Sequence, residues 1–386
     1  MIHKKGQHKS QCLILATAIL CLISGCDGKP KNKKKKDITV EQTTVTLRIH
    51  AWEGYVEEYE KTFVEKMKKE HRVNVKIELT HASGLDSFLS YAKNQNVHLI
   101  SPAADLLAPL KKAGVLQPVD FDKIQNSAQL NPIILQKNLY KIEGVPYALP
   151  FNFGPYAIAW NKNKMQQPTS YAELWNPKYR KRVTISGFYD TINIYMTALM
   201  LGYPKEDLFN LSDAQLNAVE KKLSELCRLQ IVDYWRENLN PKKRDLFDIG
   251  MDWGIGVKQI NEQYKGNWEF TIPREGATGW IDTWALTVNV TDSLTKMVAY
   301  EFMNFMISSR IQARVAQNTS YAPVNPFAGR YLSADEKKKY YLTDPQFIEK
   351  IVLWQPLDKE VLKKYQATWQ RVRNNSTISA TASSGS

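Results

Sequence analysis

Alternating apolar and polar residues mark several short segments of this chain, and segments with helical spacing separate them. Val45, Leu47, Ile49 and Ala51 are apolar at every second position, which is typical of a strand with one buried face. Alternation or a continuous apolar run predicts strands at 45–51, 73–79, 97–100, 148–160, 247–253 and 280–289. Apolar residues three and four positions apart predict helices at 57–70, from Ser212 onward, at 293–307 and at 310–317. Strands that alternate with helices predict an α/β fold.

The N-terminal segment combines a basic start with a short apolar run. Lys4, Lys5 and Lys9 precede residues 12–23, which are apolar apart from Thr17. A helix needs about 20 apolar residues to cross a bilayer, so this run is too short to span one. The pattern therefore predicts an export signal rather than a transmembrane helix.

The run ends in ISGC at 23–26, which resembles the end of a bacterial lipoprotein signal peptide. The resemblance implies that residues 1–25 are removed as a signal peptide and that Cys26 is acylated, which would anchor the chain to a lipid bilayer. The alternative is an ordinary secretory signal with a chance cysteine. Asp27 resembles the residue that retains some lipoproteins at the inner membrane. We therefore expect a lipid-anchored protein on the periplasmic face of the cell membrane.

Much of the positive charge lies close to this anchor. The chain has 52 basic and 39 acidic residues, and nine of the basic residues fall within the first 36 positions. Residues 26–37 are rich in lysine and repel one another, so they predict an extended tether. Either a solvated spacer or a contact with anionic lipid head groups fits this composition. Nucleic-acid binders concentrate charge on one folded face, so a charged tether does not indicate a nucleic-acid partner.

The remaining body is long and poor in cysteine. About 340 residues lie between the tether and the Ser/Thr-rich end, which is too long for one hydrophobic core, so two domains are expected. Residues 374–386 have hardly any apolar side chain and are predicted to be disordered. Cys227 is the one body cysteine and lies on the apolar stripe of the helix that begins near Ser212. It is predicted to be a core residue rather than part of a disulfide or zinc site.

Aromatic residues and an acid collect at predicted strand ends, where open α/β sheets bind ligands. Aromatic faces attract cations by about 0.5–2 kcal/mol each, and a carboxylate supplies the charge-assisted hydrogen bonds that an ammonium needs. This combination favours a site for an organic amine, although core packing is the simpler explanation for any single tryptophan. The residues concerned are Trp52, Tyr55, Trp253, Trp280, Asp282 and Tyr321.

Motifs of common enzymes and metal sites are missing from the sequence. The histidines of the body show no paired spacing such as H-E-x-x-H, and neither a G-x-S-x-G nor a P-loop string occurs. We therefore predict no catalytic residue, no metal ligand and no cofactor, and a protein that is not an enzyme. A hydrolase or a metal-binding protein remains the alternative from a different class.

From Thr46 to about Arg373 the chain resembles the periplasmic spermidine/putrescine-binding proteins of bacterial ABC importers. Each landmark is a loose string, but their joint order over nearly the whole body is specific. The landmarks are LRIHAWEGY at 47–55, ISP at 100–102, KAGVLQ at 112–117, YALP at 147–150, TSYAELWNPKY at 169–179, ALMLGY at 198–203, GMDW at 250–253, GWID at 279–282, SYAP at 320–323 and LWQ at 353–355.

This resemblance implies an α/β, two-lobed type II periplasmic-binding-protein fold with central mixed sheets and a hinge of crossover strands. One lobe would comprise residues 38–152 and 281–330, and the other residues 153–280 and 331–373. In the family pattern aromatic rings in the interlobe cleft enclose the methylene chain, and the acid at position 282 receives an amine. The family's ligand-binding positions fall on Trp52, Tyr55, Trp253, Trp280, Asp282, Tyr321 and Gln355.

The chain departs from the family in its acids. Ala103 and Asp105 stand where the family usually has Ser and Tyr, and Asp190 is the only acid in a stretch where the family has an acidic pair. The acid after Trp52 is displaced to Glu53. Because a buried ammonium without a carboxylate is costly, two outcomes stay open. Either Glu53, Asp105 or Asp190 replaces the missing acids, or the ligand has one cationic end and a neutral or polar other end.

Two functions fit these expectations. The first is a lipid-anchored, extracytoplasmic solute-binding protein that captures a polyamine or related amine and delivers it to an ABC permease in the inner membrane. The second is an amine-sensing subunit with the same fold whose liganded form contacts a membrane signalling receptor. The sequence does not separate them, because either partner would contact the outer faces of the lobes.

Overall fold

The computed structural model describes residues 43–235 and 239–375. The predicted signal peptide (1–25), the lipidation site at Cys26, the tether (26–37) and positions 376–386 of the predicted tail lie outside the described residues. None of the helices in the described ranges combines the length and apolar character that a membrane crossing requires.

The described chain alternates strands and helices. The strands are β1 (Thr44–Ala51), β2 (Asn74–His81), β3 (Leu99–Ile100), β4 (Lys141–Ile142), β5 (Val145–Pro146), β6 (Leu149–Asn161), β7 (Val183–Ser186), β8 (Ile231–Trp235), β9 (Ile249–Asp252), β10 (Trp268–Thr271), β11 (Ala277–Leu286), β12 (Ala322–Pro323) and β13 (Ile351–Leu353). The α-helices are α1 (Glu60–His71), α2 (Leu85–Asn94), α3 (Leu107–Lys112), α4 (Pro132–Gln136), α5 (Ile192–Met200), α6 (Asp213–Leu229), α7 (Ile255–Tyr264), α8 (Ser293–Met306), α9 (Ser309–Thr319), α10 (Ala334–Lys339) and α11 (Lys359–Asn374).

The periodic patterns of the sequence are confirmed as elements. Strands β1 and β2 follow the predicted alternation, and their apolar positions are buried except Leu79 of β2, which is half-buried. Helix α6 begins after Ser212, whose hydroxyl accepts from the Gln215 backbone N–H while the Gln215 side chain accepts from the Ser212 N–H. This capping box satisfies two N–H groups that have no partner inside the helix. Cys227 is fully buried on the inner face of α6, as predicted.

One mixed sheet runs through the described chain in the order β2-β1-β3-β11-β6-β9-β7-β8, with β10 and β12 paired to β6 and β13 paired to β11. The two longest strands, β6 and β11, lie antiparallel at its centre, with Trp280 opposite Gly154 and Asp282 opposite Asn152. β1 pairs in parallel with β2 and β3, and β7 pairs in parallel with β8 and β9. Parallel and antiparallel pairs in one sheet give the mixed α/β arrangement that the sequence predicts.

Two large hydrophobic clusters form the core, and β6 and β11 contribute to both. Phe151 and Trp284 belong to the first cluster, whereas Tyr156 and Trp280 belong to the second. Each long strand therefore passes from one cluster to the other near its middle. The exact lobe limits given above stay a prediction.

The close approach of β6 and β11 fixes the position of the Trp280 ring. A Cβ at Gly279 would lie 2.2 Å from the Gly154 carbonyl oxygen, so neither strand has room for a side chain there. A Cβ at Gly154 would in turn lie 2.8 Å from the Trp280 ring. The Trp280 indole consequently lies over the bare backbone of β6, at the point where the strand leaves the first cluster.

Candidate functional site

A cavity of about 140 Å³ opens where β6 and β11 pass between the two clusters. It is lined by Trp52, Glu53, Tyr55, His81, Ala82, Ser83, Ala103, Phe188, Tyr189, Trp253, Ile255, Trp280, Asp282, Tyr321 and Trp354. Most of these side chains are aromatic, and Asp282 is the buried acid among them. A concave, largely apolar pocket with a few convergent polar groups is the usual form of a small-molecule site.

Strand ends place most of the predicted ligand residues at this cavity. Trp52 and Tyr55 follow β1, Trp253 follows β9, and Trp280 and Asp282 lie within β11. Tyr321 follows Ser320, which ends α9 with a left-handed backbone (φ 63°). The structure thus brings Trp52, Tyr55, Trp253, Trp280, Asp282 and Tyr321 together.

Gln355, the remaining predicted ligand residue, is exposed and does not line the cavity. Its neighbour Trp354 does, because the backbone N–H of Trp354 donates to the Gly279 carbonyl at 2.8 Å and continues the pairing of β13 with β11. Successive side chains of an extended chain point to opposite sides. The residue that faces the cavity is therefore Trp354, and Gln355 faces away.

Hydrogen-bond donors converge on the Asp282 carboxylate. The Tyr55 hydroxyl donates to Asp282 Oδ2, and the side chains of Trp280 and Trp52 also hydrogen-bond to this carboxyl group. Burial raises the pKa of Tyr55 well above its usual value, so its hydroxyl remains a donor throughout the physiological pH range. Asp282 itself is 5% exposed. It is thus a buried acid held in place by neutral donors, with no cationic side chain paired to it among the described residues.

Asn152 lies behind this group, directly opposite Asp282 in the sheet. The Tyr55 oxygen lies 3.2 Å from Asn152 Oδ1, but a hydroxyl has one proton, and Tyr55 donates it to Asp282. The amide nitrogen of Asn152 is buried without a partner in the described chain. With the amide's oxygen and nitrogen exchanged, the Asn152 nitrogen donates to the Tyr55 oxygen, and the Tyr55 hydroxyl donates to Asp282.

The pKa of Asp282 is raised to about 7, first by burial and then by the negative charge of Asp105. The hydrogen bonds from Tyr55, Trp280 and Trp52 act in the opposite direction. Because burial penalises the charged form of an acid, a cation in the cavity would restore the ionised carboxylate. The geometry therefore suits the capture of one positively charged group.

The three substitute acids considered above lie in different places. Glu53 lines the cavity but is exposed to solvent. Asp105 is partly buried and does not line it, although burial raises the pKa of its carboxyl to about 7. Asp190 is outside the cavity and hydrogen-bonds the Gln366 side chain on α11. Their role as ligand partners stays a prediction.

Edge-to-face aromatic contacts build the rest of the wall. The Trp280 ring lies 5.2 Å from Trp253 and 5.0 Å from Tyr321, with interplanar angles of 85° and 77°. The Trp253 ring also lies 5.7 Å from Trp354 and 5.5 Å from Tyr189. Such contacts hold the rings rigidly, which leaves their faces and edges at fixed places around a ligand.

A buried acid positions Trp253 in this wall. Asp252 Oδ2 accepts from the backbone N–H groups of Gly254 at 2.9 Å and Val257 at 3.0 Å, at the start of α7. Gly254 has a positive φ of 98°, which lets the chain turn sharply from β9 into this helix. Asp252 therefore serves the backbone turn rather than a ligand.

Sequence reasoning missed Phe188, Tyr189 and Trp354. Phe188 and Tyr189 follow β7, so the same strand-end rule that identified Trp253 applies to them. In the sequence Ser186-Gly187 resembles a turn, and this concealed the strand that ends at Ser186. Trp354 directly follows the three-residue strand β13, which is too short to give a periodic signal.

In the described ranges, no group of three or more His, Cys, Asp and Glu side chains is placed to hold a metal ion. The cavity offers neutral rings, a buried carboxylate and hydroxyl and indole donors. Such a set can bind and orient a cation.

Comparison with known proteins places the chain in a family. Residues 99–351 match the family described as bacterial extracellular solute-binding protein. The spermidine/putrescine-binding periplasmic protein of Salmonella typhimurium is 27% identical over 316 residues, which cover 79% of this chain and 85% of that protein. The protein of the same name from Escherichia coli is 26% identical over 306 residues, covering 76% of this chain and 83% of the relative.

A solved structure agrees with the fold. The substrate-binding protein of a spermidine/putrescine ABC transporter from Streptococcus pneumoniae superposes with a TM-score of 0.73 at 19% identity, covering 86% of this chain and 99% of that chain. The predicted type II periplasmic-binding fold and the predicted resemblance to spermidine/putrescine-binding proteins are confirmed. The family consists of transport proteins that bind solutes and are not enzymes, and this chain belongs to it: it is a bacterial extracellular solute-binding protein.

Proposed function

We propose that this protein is lipid-anchored through Cys26, captures a polyamine or related organic amine in the cavity around Asp282, and delivers it to an ABC permease. The observation that carries the proposal is a buried carboxylate without a cationic partner, enclosed by aromatic rings. An ammonium group supplies the missing charge, and the rings supply contact for its methylene groups. The names of the relatives in Salmonella and Escherichia coli support an amine as the solute.

A thermal-shift screen tests the ligand class. We expect the purified body to melt at a higher temperature with at least one of putrescine, spermidine, norspermidine, acetylspermidine, agmatine or a basic amino acid, because a ligand that binds only the folded state stabilises it. Sugars and dicarboxylic acids of similar size serve as controls and should produce no shift. A shift with the controls alone would contradict the proposal.

The anchor is tested separately from the ligand. In the full-length chain, Cys26→Ala removes the thiol that would be acylated, so the variant should move from the membrane fraction to the soluble periplasmic fraction. Cys227→Ala is the matched control, since that thiol is fully buried in the core, and it should leave the distribution unchanged. Equal membrane association of both variants would refute a lipid anchor at Cys26.

An uptake measurement distinguishes delivery of the amine to a permease from sensing of the amine. Cells that lack this protein should accumulate less of the amine found in the screen when they are given a radiolabelled form. Normal uptake in those cells would favour the sensing subunit instead.

A further inference from the structure

Few negative charges face the cavity. Asp282 is buried in its wall, whereas the other lining acid, Glu53, is exposed at the edge, where water screens its charge. Two ammonium groups buried together would require two buried acids, because an unpaired buried charge is costly. Among the described residues that line the cavity, only Asp282 meets this requirement.

The other acids near this region have different partners or positions. Asp252 accepts hydrogen bonds from the backbone at the start of α7, and Asp190 hydrogen-bonds the Gln366 side chain. Neither lines the cavity. Both are therefore committed to the folded chain and are not available to a second ammonium group.

Asp105 does not add a second negative charge to the cavity. Its negative charge raises the pKa of Asp282, so ionisation of one carboxyl opposes ionisation of the other. Burial also raises the pKa of Asp105, and its charge acts on Tyr195 of α5, away from the cavity lining. Asp105 does not line the cavity, so it is not placed to receive a second ammonium group.

The wall formed by Phe188, Tyr189 and Trp354 carries no acid. Tyr189 lies 5.5 Å from Trp253 and 6.2 Å from Trp354, ring centre to ring centre. Trp354 is 7% exposed, and its indole N–H has no hydrogen-bond partner in the described chain. Because this N–H is enclosed by protein, the wall offers a ligand uncharged ring surface rather than a hydrogen bond from Trp354.

We propose that the cavity selects amines with a single ammonium group, which pairs with Asp282, and an uncharged end, which lies against Phe188, Tyr189 and Trp354. An N-acylated diamine has this chemistry. The inference rests on the proposed function, since it assumes that Asp282 receives an amine. It narrows that function from amines in general to singly charged ones.

Calorimetry with three matched probes tests this selectivity. N-acetylputrescine, putrescine and n-butylamine share a four-carbon chain and differ in the group at the second end. At about pH 8, where most of the Asp282 carboxyl groups are ionised, we expect N-acetylputrescine to bind at least tenfold more tightly than putrescine and more tightly than n-butylamine. Equal or tighter binding of putrescine overturns the inference but leaves the proposed function standing. If the folded protein binds none of these probes and none of the amines of the screen, both fail.

Two variants test the wall itself. Tyr189→Glu introduces a second acid and should reverse the preference toward putrescine. Trp354→Phe keeps an aromatic ring but removes part of the ring surface against which the uncharged end packs, so it should weaken binding of N-acetylputrescine several-fold and affect n-butylamine less. Asp105→Asn tests whether Asp105 pairs with a second ammonium group of the ligand. If Asp105→Asn abolishes putrescine binding that Tyr189→Glu fails to improve, Asp105 is the second partner and the inference is wrong.

Discussion

The Asp282→Asn variant should bind its amine at least about 100-fold more weakly than the wild type. The asparagine keeps the size of the side chain and its hydrogen bonding with Tyr55, but it removes the negative charge that an ammonium needs. Loss of one partner from a buried ion pair costs about 3–5 kcal/mol, because the other charge remains buried without compensation. Isothermal titration calorimetry of both proteins, at about pH 8, measures the difference.

The same pair of proteins should differ in pH dependence. The pKa of Asp282 is raised to about 7 in the free protein, chiefly by burial. Below that pH the carboxyl becomes neutral, so the affinity of the wild type should fall by up to about tenfold per pH unit between about pH 7 and pH 5. Asp105 titrates in the same range, and the contribution of Asp282 is therefore the difference between the wild-type and variant slopes.

Asp190→Asn is the matched control for both experiments, since its carboxyl lies outside the cavity and hydrogen-bonds Gln366. Its affinity should stay within about twofold of the wild type, as expected for residues that do not contact the ligand. A wild-type affinity that does not change with pH, or an Asp282→Asn variant that binds normally, would remove Asp282 from the site.

Local periodicity was sufficient to predict several of the elements that support the site. The alternation in β1 and the helical stripe of α6 each reflect one buried face, which is a property of a few neighbouring residues. The strand predicted at 280–289 is instead β11, Ala277–Leu286. The glycine at position 279 concealed its beginning, because a close backbone approach, rather than a side chain, determines the residue there.

The members of the site were predictable where they follow a recognisable strand or lie in a family motif. Trp253 and Asp282 lie in short strings that resemble the family, and the structure places both at the cavity. Tyr189 and Trp354 contact each other across 165 positions of sequence, at a ring distance of 6.2 Å. Such a contact depends on how β7 and β13 join the sheet, and neither strand is long enough to reveal its register in the sequence.

A strand's register also decides which single side chain faces the cavity: the sequence predicted Gln355, whereas Trp354 lines the cavity in the structure. The motif LWQ at 353–355 lies beside the cavity, but the side chain that faces the cavity is set by the hydrogen bond of Trp354 to Gly279. A shift of one residue along an extended chain turns every side chain to the opposite face. A motif therefore predicts which segment approaches a ligand more reliably than which side chain touches it.

Trp253→Ala should lower both the stability of the fold and the affinity for the amine. The Trp253 ring is 8% exposed and lies within 6 Å of the rings of Tyr156, Tyr189, Trp235, Trp280 and Trp354. Removing a buried tryptophan typically costs about 3–5 kcal/mol of unfolding free energy, because the neighbouring rings close the space only in part. Urea unfolding should show this loss, and calorimetry should show at least about tenfold weaker binding, since a central aromatic contact is removed.

Trp235→Ala separates the two effects. Trp235 is 3% exposed and its ring lies 5.4 Å from Trp253, but it does not line the cavity. The two variants should therefore lose a similar amount of unfolding free energy, while Trp235→Ala retains most of its affinity for the amine. If both variants bind equally weakly, the loss in Trp253→Ala reflects general disruption of the second hydrophobic cluster. If both bind as the wild type does, the Trp253 ring contributes nothing to the ligand, and the aromatic wall cannot be the surface against which the amine packs.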